Sequence, residues 1–172
     1  LSSDFSGANF TEADLTKADL SYGSIFDGAN FTKAILTGAD LSSSYSYSYG
    51  LFSSDFSGAD FTEADLSYAN LSYGSNFKGA DFTQADLTYA NLNYGSKFGG
   101  ADFTQADLSF ANLSYGYFTG ADFTGANLFN AELPDDFNLD SSGAISLSPE
   151  EFKLAKQEPL EEQTLTEEVT IE

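Results

Sequence analysis

The chain has 172 residues and a net charge of −21, from 27 acidic residues against 6 basic ones, and it contains no Cys, His, Met or Trp. That composition excludes a cystine framework, a His or Cys metal centre and nucleophilic chemistry that depends on either residue. Such acidity opposes direct contact with nucleic acid or an anionic membrane surface, and no apolar run is long enough to cross a bilayer, so no membrane insertion is expected.

The chain begins at Leu1 without Met, which favours removal of a leader and an extracytoplasmic or lumenal location. From Phe5 to Leu133 every fifth residue is Phe or Leu, usually with Ala two places before it and Asp or Asn one place before it. The first group of centres is Phe5, Phe10, Leu15 and Leu20, and later groups repeat the order Phe, Phe, Leu, Leu, as in Phe61, Leu66, then Phe82, Leu87, then Phe103, Leu108. Most groups start 21 residues after the one before, because one extra residue stands near a Tyr-Gly pair such as Tyr73-Gly74. A repeat nested within a repeat marks a solenoid.

A period of five suits neither a helix face nor a long strand. It suits a short extended segment followed by a turn, with the residues at i−2 and i on the same inward side and those at i−1 and i+1 facing water. Four segments and four corners close a square coil around Phe5, Phe10, Leu15 and Leu20. Six coils stacked at about 4.8 Å give a rod roughly 29 Å long, with Phe piled on Phe along two faces and Leu on Leu along the other two. The expected fold is an all-β solenoid over residues 1–133. Each buried Phe or Leu contributes roughly 1.5–3 kcal/mol, so the core needs no disulfide. The first coil has no cap, and its open backbone edge invites end-to-end pairing into a dimer or filament.

Between Leu41 and Phe56 the spacing stretches to 15 residues, which predicts a Tyr/Ser-rich loop insertion at 42–53 carrying Tyr45, Tyr47, Tyr49, Leu51 and Phe52. Alternating Tyr and Ser is the composition of adaptable recognition loops. Two aromatic columns accompany it on the Leu faces: Tyr68, Tyr89, Phe110, and Tyr22, Tyr73, Tyr94, Tyr115. A contiguous aromatic patch rimmed by polar groups reads as an interaction site, and the competing reading is rings that merely cover the corners by stacking.

The i−1 positions form two acidic columns, Asp60, Asp81, Asp102, Asp122 and Asp65, Asp86, Asp107. Mutual repulsion predicts raised pKa values in the middle of each run. Asp and Asn there suit corners stabilised through backbone amides, and a carboxylate array suits a phosphate mimic. A ladder of Thr11, Thr32, Thr62, Thr83, Thr104 and Thr124 is explained by β-propensity more simply than by ice binding.

Past Leu133 the period stops at Pro134. Residues 134–158 are expected to form a C-terminal cap, with Ser148 as N-cap of a short helix over 149–157 and Phe152 and Leu154 covering the last coil. Asn138, Asp140, Ser142, Gly143 and Ile145 partly match a calcium loop, but Pro149 stands where its closing Glu belongs. Residues 159–172 read as an acidic mobile tail.

Units such as Ala59-Asp60-Phe61-Thr62-Glu63 and Ala64-Asp65-Leu66-Ser67-Tyr68 resemble the pentapeptide-repeat family, A(D/N)LXX, over residues 3 to 133. The resemblance implies a right-handed quadrilateral β-helix, and the family includes DNA mimics that bind DNA gyrase. No enzyme and no cofactor are expected. The sequence favours a protein-binding or self-assembling scaffold that uses the aromatic corner and the Tyr/Ser loop. The other reading is a cytoplasmic DNA mimic binding a type II topoisomerase through the acidic columns.

Overall fold

The computed structural model describes residues 3–21, 23–46, 50–137 and 142–147, with the backbone alone at 44–46 and 50–52. The five-residue unit closes because each of its five N–H groups has an assigned acceptor. In the unit centred on Phe61, Asp60 N–H donates to Ala29 O of the preceding coil at 2.9 Å, and Phe61 and Glu63 N–H donate to Asp81 O and Thr83 O of the following coil at 2.7 and 3.0 Å. Ala64 N–H closes a β-turn onto Phe61 O at 3.0 Å. The remaining donor, Thr62 N–H, reaches the Asp60 side chain, Oδ1, at 2.9 Å. Asp or Asn at i−1 is therefore part of the backbone accounting, the Asx turn that leaves no orphan amide.

The turn also requires a positive φ at i+2, as in a type II turn, and Gly occupies that place at Gly58 and Gly79. Glu63, Gln84, Tyr68 and Tyr89 occupy it too, with φ of 57–59°.

Parallel bridges run without interruption from Asp4↔Ile25 to Asn112↔Glu132 and define six four-sided coils. Phe61, Phe82 and Phe103 are superposed, with centroids 4.9 Å apart and planes within 3°. The neighbouring Phe column meets this one at a tilt, as in Phe56 and Phe61 at 6.1 Å and 48°. Offset and tilted pairs of this kind add stabilisation beyond area burial. The core Leu66, Leu87 and Leu108 have no exposed surface. Phe10, Leu15 and Leu20 of the first coil are half-buried, and Phe5 is 41% exposed.

The insertion is not a plain loop. It folds as an antiparallel ribbon of β1 (Ser44–Ser46) and β2 (Gly50–Phe52), in the register Ser44↔Phe52, Tyr45↔Leu51, Ser46↔Gly50. The Ser-Tyr alternation has period two, which is a strand pattern. Around its base Ser replaces Ala at i−2. Buried Ser54 donates to Ser42 O at 3.1 Å, Ser75 to Leu41 O at 3.0 Å and Ser96 to Leu71 O at 2.7 Å, so hydroxyls tie down the carbonyls of the wider corner. In the last coil that corner lacks the extra residue, and the step is 20, as in Lys97↔Tyr117. The i−2 residue there is Gly116, where a Cβ would lie 2.6 Å from Phe118 and 2.9 Å from Leu92 O.

Beyond the last coil, residues 142–147 add a further edge. Gly125 N–H donates to Gly143 O at 2.8 Å, and Ile145 pairs with Asn127. Gly143 and Ile145 of the calcium-like fragment are thus engaged in strand pairing. Tyr22, Tyr47, Tyr49, the helix expected at 149–157 and the tail at 159–172 lie outside the described residues, as do the side chains of Tyr45, Leu51 and Phe52.

Candidate interaction surfaces

The acidic columns sit one coil apart, as the bridges Asp60↔Asp81↔Asp102↔Asp122 and Asp65↔Asp86↔Asp107 place them. Burial differs along them: Asp107 is only 7% exposed, Asp60 and Asp65 are half-buried, and Asp86 and Asp122 face water. Where the runs begin and end, at Asp60, Asp65 and Asp122, the carboxyls are lowered rather than raised. Partial burial does push Asp60 upward, but the Thr62 N–H and the Thr62 and Thr32 hydroxyls together outweigh it, leaving the carboxyl below its ordinary value. Asp65 is lowered in the same way, burial being outweighed by the Ser67 hydroxyl and N–H and the Thr37 hydroxyl. Asp4, Asp14 and Asp122 are lowered by the hydroxyl and then the N–H of Ser6, Thr16 and Thr124. Hydrogen bonding to the charged form decides the sign, because the same oxygen that closes the turn is the one that titrates.

The threonine ladder serves these carboxylates. Thr32 Oγ1 donates to Asp60 Oδ2 of the next coil at 3.1 Å, and Thr11 Oγ1 donates to Asn30 Oδ1 at 3.2 Å. At Thr11 and Thr32 the hydroxyl is thus engaged by the neighbouring coil.

The aromatic columns are real and stacked. Tyr68 and Tyr89 lie 5.0 Å apart at 2°, Tyr89 and Phe110 at 4.8 Å and 4°, and Tyr73 and Tyr94 at 5.3 Å and 6°. Tyr94 and Tyr115 follow more loosely at 6.4 Å and 21°. Tyr68 and Tyr115 are 62% and 72% exposed. All six stand at the i+2 corner with φ between 50° and 61°. A bulky residue in that region is an outlier that costs of order 1 kcal/mol or more, so the rings are held on the surface against backbone preference.

The two columns flank one Leu face, that of Leu71, Leu92 and Leu113, on the three coils centred there. On those coils the i−1 residues are neutral, Asn70, Asn91 and Asn112, while one adjoining face carries Asp65, Asp86 and Asp107 and the other Asp55, Asn76 and Lys97. Sequence reading missed this neutral strip, although the run of Asn at a 21-residue spacing was its signal. It also missed Tyr117, 63% exposed, which the shortened last coil puts at i−1. Among the described residues no group of His, Cys, Asp and Glu could hold a metal ion.

The family model described as pentapeptide repeats (8 copies) matches residues 2–21, 22–45, 51–73, 73–105, 94–125 and 106–134. With its right-angled coils and Asx-closed turns, the chain belongs to the pentapeptide-repeat family. It is similar to HetL, a pentapeptide repeat protein involved in heterocyst differentiation regulation from the cyanobacterium Nostoc sp. strain PCC 7120. That likeness has 31% identity and a TM-score of 0.58, and covers 83% of this chain and 54% of HetL. The chain therefore spans just over half of HetL's length. QnrB1, a plasmid-mediated fluoroquinolone resistance protein, shares the fold at 20% identity and a TM-score of 0.55, over 90% of this chain and 84% of that one. No curated protein matches the chain.

Proposed function

We propose that this protein is a non-enzymatic scaffold that binds a protein partner, or another copy of itself, through the aromatic corner and the adjoining Tyr/Ser hairpin. The observation that carries this reading is six aromatic residues stacked in two columns at the corners of consecutive coils, five of them tyrosines with exposed rings. A contiguous array of exposed aromatic edges rimmed by polar groups is suited to contact with a partner. Family membership and the likeness to HetL, a protein of regulation, agree with a binding role.

Affinity capture from native extract tests it. Tyr73→Gly with Tyr94→Gly, and separately deletion of residues 43–51, should each strip the specific partner. A partner retained by both variants at wild-type yield sinks the reading.

A second reading is favoured by the acidic columns, whose coil-by-coil spacing supports a DNA mimic acting on a type II topoisomerase. Six coils at about 4.8 Å match a length on which B-DNA carries roughly 17 charges. Asp60→Asn, Asp81→Asn and Asp102→Asn together keep Oδ1 for the turn while removing charge, so they should abolish topoisomerase binding without unfolding the rod. A gyrase supercoiling assay that the native protein leaves unchanged retires the mimic.

A further inference from the structure

Three features coincide on the same three coils. Tyr68, Tyr89 and Phe110 form one border, Tyr73, Tyr94 and Tyr115 form the other, and between them lies the neutral strip Asn70, Asn91, Asn112. Immediately past either end of the strip, in the same bridge column, stand carboxylates: Asp40 before Asn70 and Glu132 after Asn112. The result is a face bordered by an aromatic column at each corner, with an amide strip between them and an acid at each end.

The strip has donors to spare. Asn70 Nδ2 donates to Asp40 Oδ1 at 3.2 Å and Asn112 Nδ2 to Glu132 Oε2 at 2.6 Å, which leaves a second N–H on each carboxamide. Tyrosine hydroxyls along the borders add more. The coil backbone offers an incoming strand little, because its own N–H groups are spent within the solenoid. A ligand for this face therefore presents carbonyl acceptors, needs no ladder partner and lies along the axis. A proline-rich segment in the polyproline II conformation has those properties, since proline lacks the N–H, leaves its carbonyls exposed and docks in grooves lined by aromatic rings.

The dimensions agree. One polyproline II turn advances about 9.3 Å, and the two ring steps from Tyr68 to Phe110, 5.0 and 4.8 Å, cover about the same length. Four coil steps separate Asp40 from Glu132, or about 19 Å, which corresponds to about six residues at 3.1 Å each. We propose that this face binds a proline-rich segment of a partner protein, with a basic residue at each end of a tract of about six residues and its charges set against Asp40 and Glu132. The inference rests on the scaffold reading above and specifies its ligand.

The test is calorimetric titration of the full chain with a synthetic peptide of six residues, mainly Pro, flanked by Lys. Two comparison peptides carry Glu flanks on the same tract, or a Gly-Ser tract between the same Lys residues. The Lys-flanked proline peptide should bind at least tenfold more tightly than either. Tyr89→Gly with Tyr94→Gly should weaken it tenfold or more, and Asp40→Asn with Glu132→Gln should flatten its salt dependence. Gly suits the positive φ at both tyrosines, and Asn and Gln keep their acceptor oxygens, so these variants retain the fold. Equal binding of the Gly-Ser peptide, or wild-type affinity in the double tyrosine variant, overturns the proposal. If partner capture depends on the tyrosines while the proline peptide fails to bind, the ligand assignment falls and the scaffold reading stands.

Discussion

The rings of Tyr68 and Tyr89 lie 5.0 Å apart and within 2° of parallel, although both residues hold φ at 59°. Two opposed terms of similar size meet at this pair. Positive φ costs a side-chain-bearing residue about 1–2 kcal/mol, and each aromatic stack returns roughly 0.5–1.5 kcal/mol. Tyr89, stacked on both sides, should then tolerate Gly within about 1 kcal/mol of wild type, the relieved strain offsetting the lost stacks. Tyr89→Val loses the stacks, keeps the strain and adds β-branching, so it should cost about 2 kcal/mol or more. Urea midpoints of the two variants give the comparison, and the reverse order would contradict it.

Phe82 sits between Phe61 and Phe103 at 4.9 Å from each, fully buried. Phe82→Ala should cost about 3–5 kcal/mol. Phe5→Ala, at a position 41% exposed, should cost well under half of that. Thermal unfolding of both variants tests whether stability is concentrated in the middle coils.

Acid should loosen the turns. The folded carboxyls of Asp60 and Asp65 lie below the ordinary value of 3.8. Their contribution is therefore complete above that value and is lost as pH falls through the lower, folded one. Asp60→Asn with Asp65→Asn keeps the Oδ1 acceptors, so the loss of stability on acidification below about pH 4 should be shallower than in wild type. Unfolding midpoints measured stepwise from neutral pH to pH 2 report the slope, and an unchanged slope would assign acid sensitivity elsewhere.

Two glycines should respond differently to the same methyl group. Gly116→Ala drives a Cβ to 2.6 Å from the Phe118 ring and 2.9 Å from Leu92 O, an overpacking cost of about 1–3 kcal/mol. At Gly58 the Cβ meets nothing within 4 Å, and only the φ of 62° is paid for, about 1 kcal/mol. Crystal structures of both variants should show backbone movement around residue 116 and none around residue 58.

The core was readable because a five-residue period leaves so few solutions. Placing Phe61, Phe82 and Phe103 in one pile needed only the 21-residue spacing and the separation of Phe from Leu. The positive φ at i+2 was hidden, because Glu63, Gln84 and Tyr68 carry none of the usual Gly or Asn signal there. The lowered carboxyl of Asp60 was hidden for a related reason. Spacing and residue type reveal that the carboxylates are neighbours and suited to backbone amides, and the turn geometry adds which amide, Thr62 N–H, meets which oxygen, Oδ1 of Asp60. The hairpin was signalled by the period-two alternation of Ser and Tyr, which the composition of a recognition loop masks, and the neutral strip is hidden because Asn70, Asn91 and Asn112 satisfy the repeat as well as Asp does.

The bridge Ile25↔Asp55 spans 30 residues yet keeps the alignment held by Asp55↔Asn76 below it. The corner from which β1 and β2 emerge is consequently a port in the masonry: length and sequence there can be exchanged while every pillar above and below stays plumb. A lineage, or an engineer, could refit the molecule for a new client at that opening without recutting a single course of the tower.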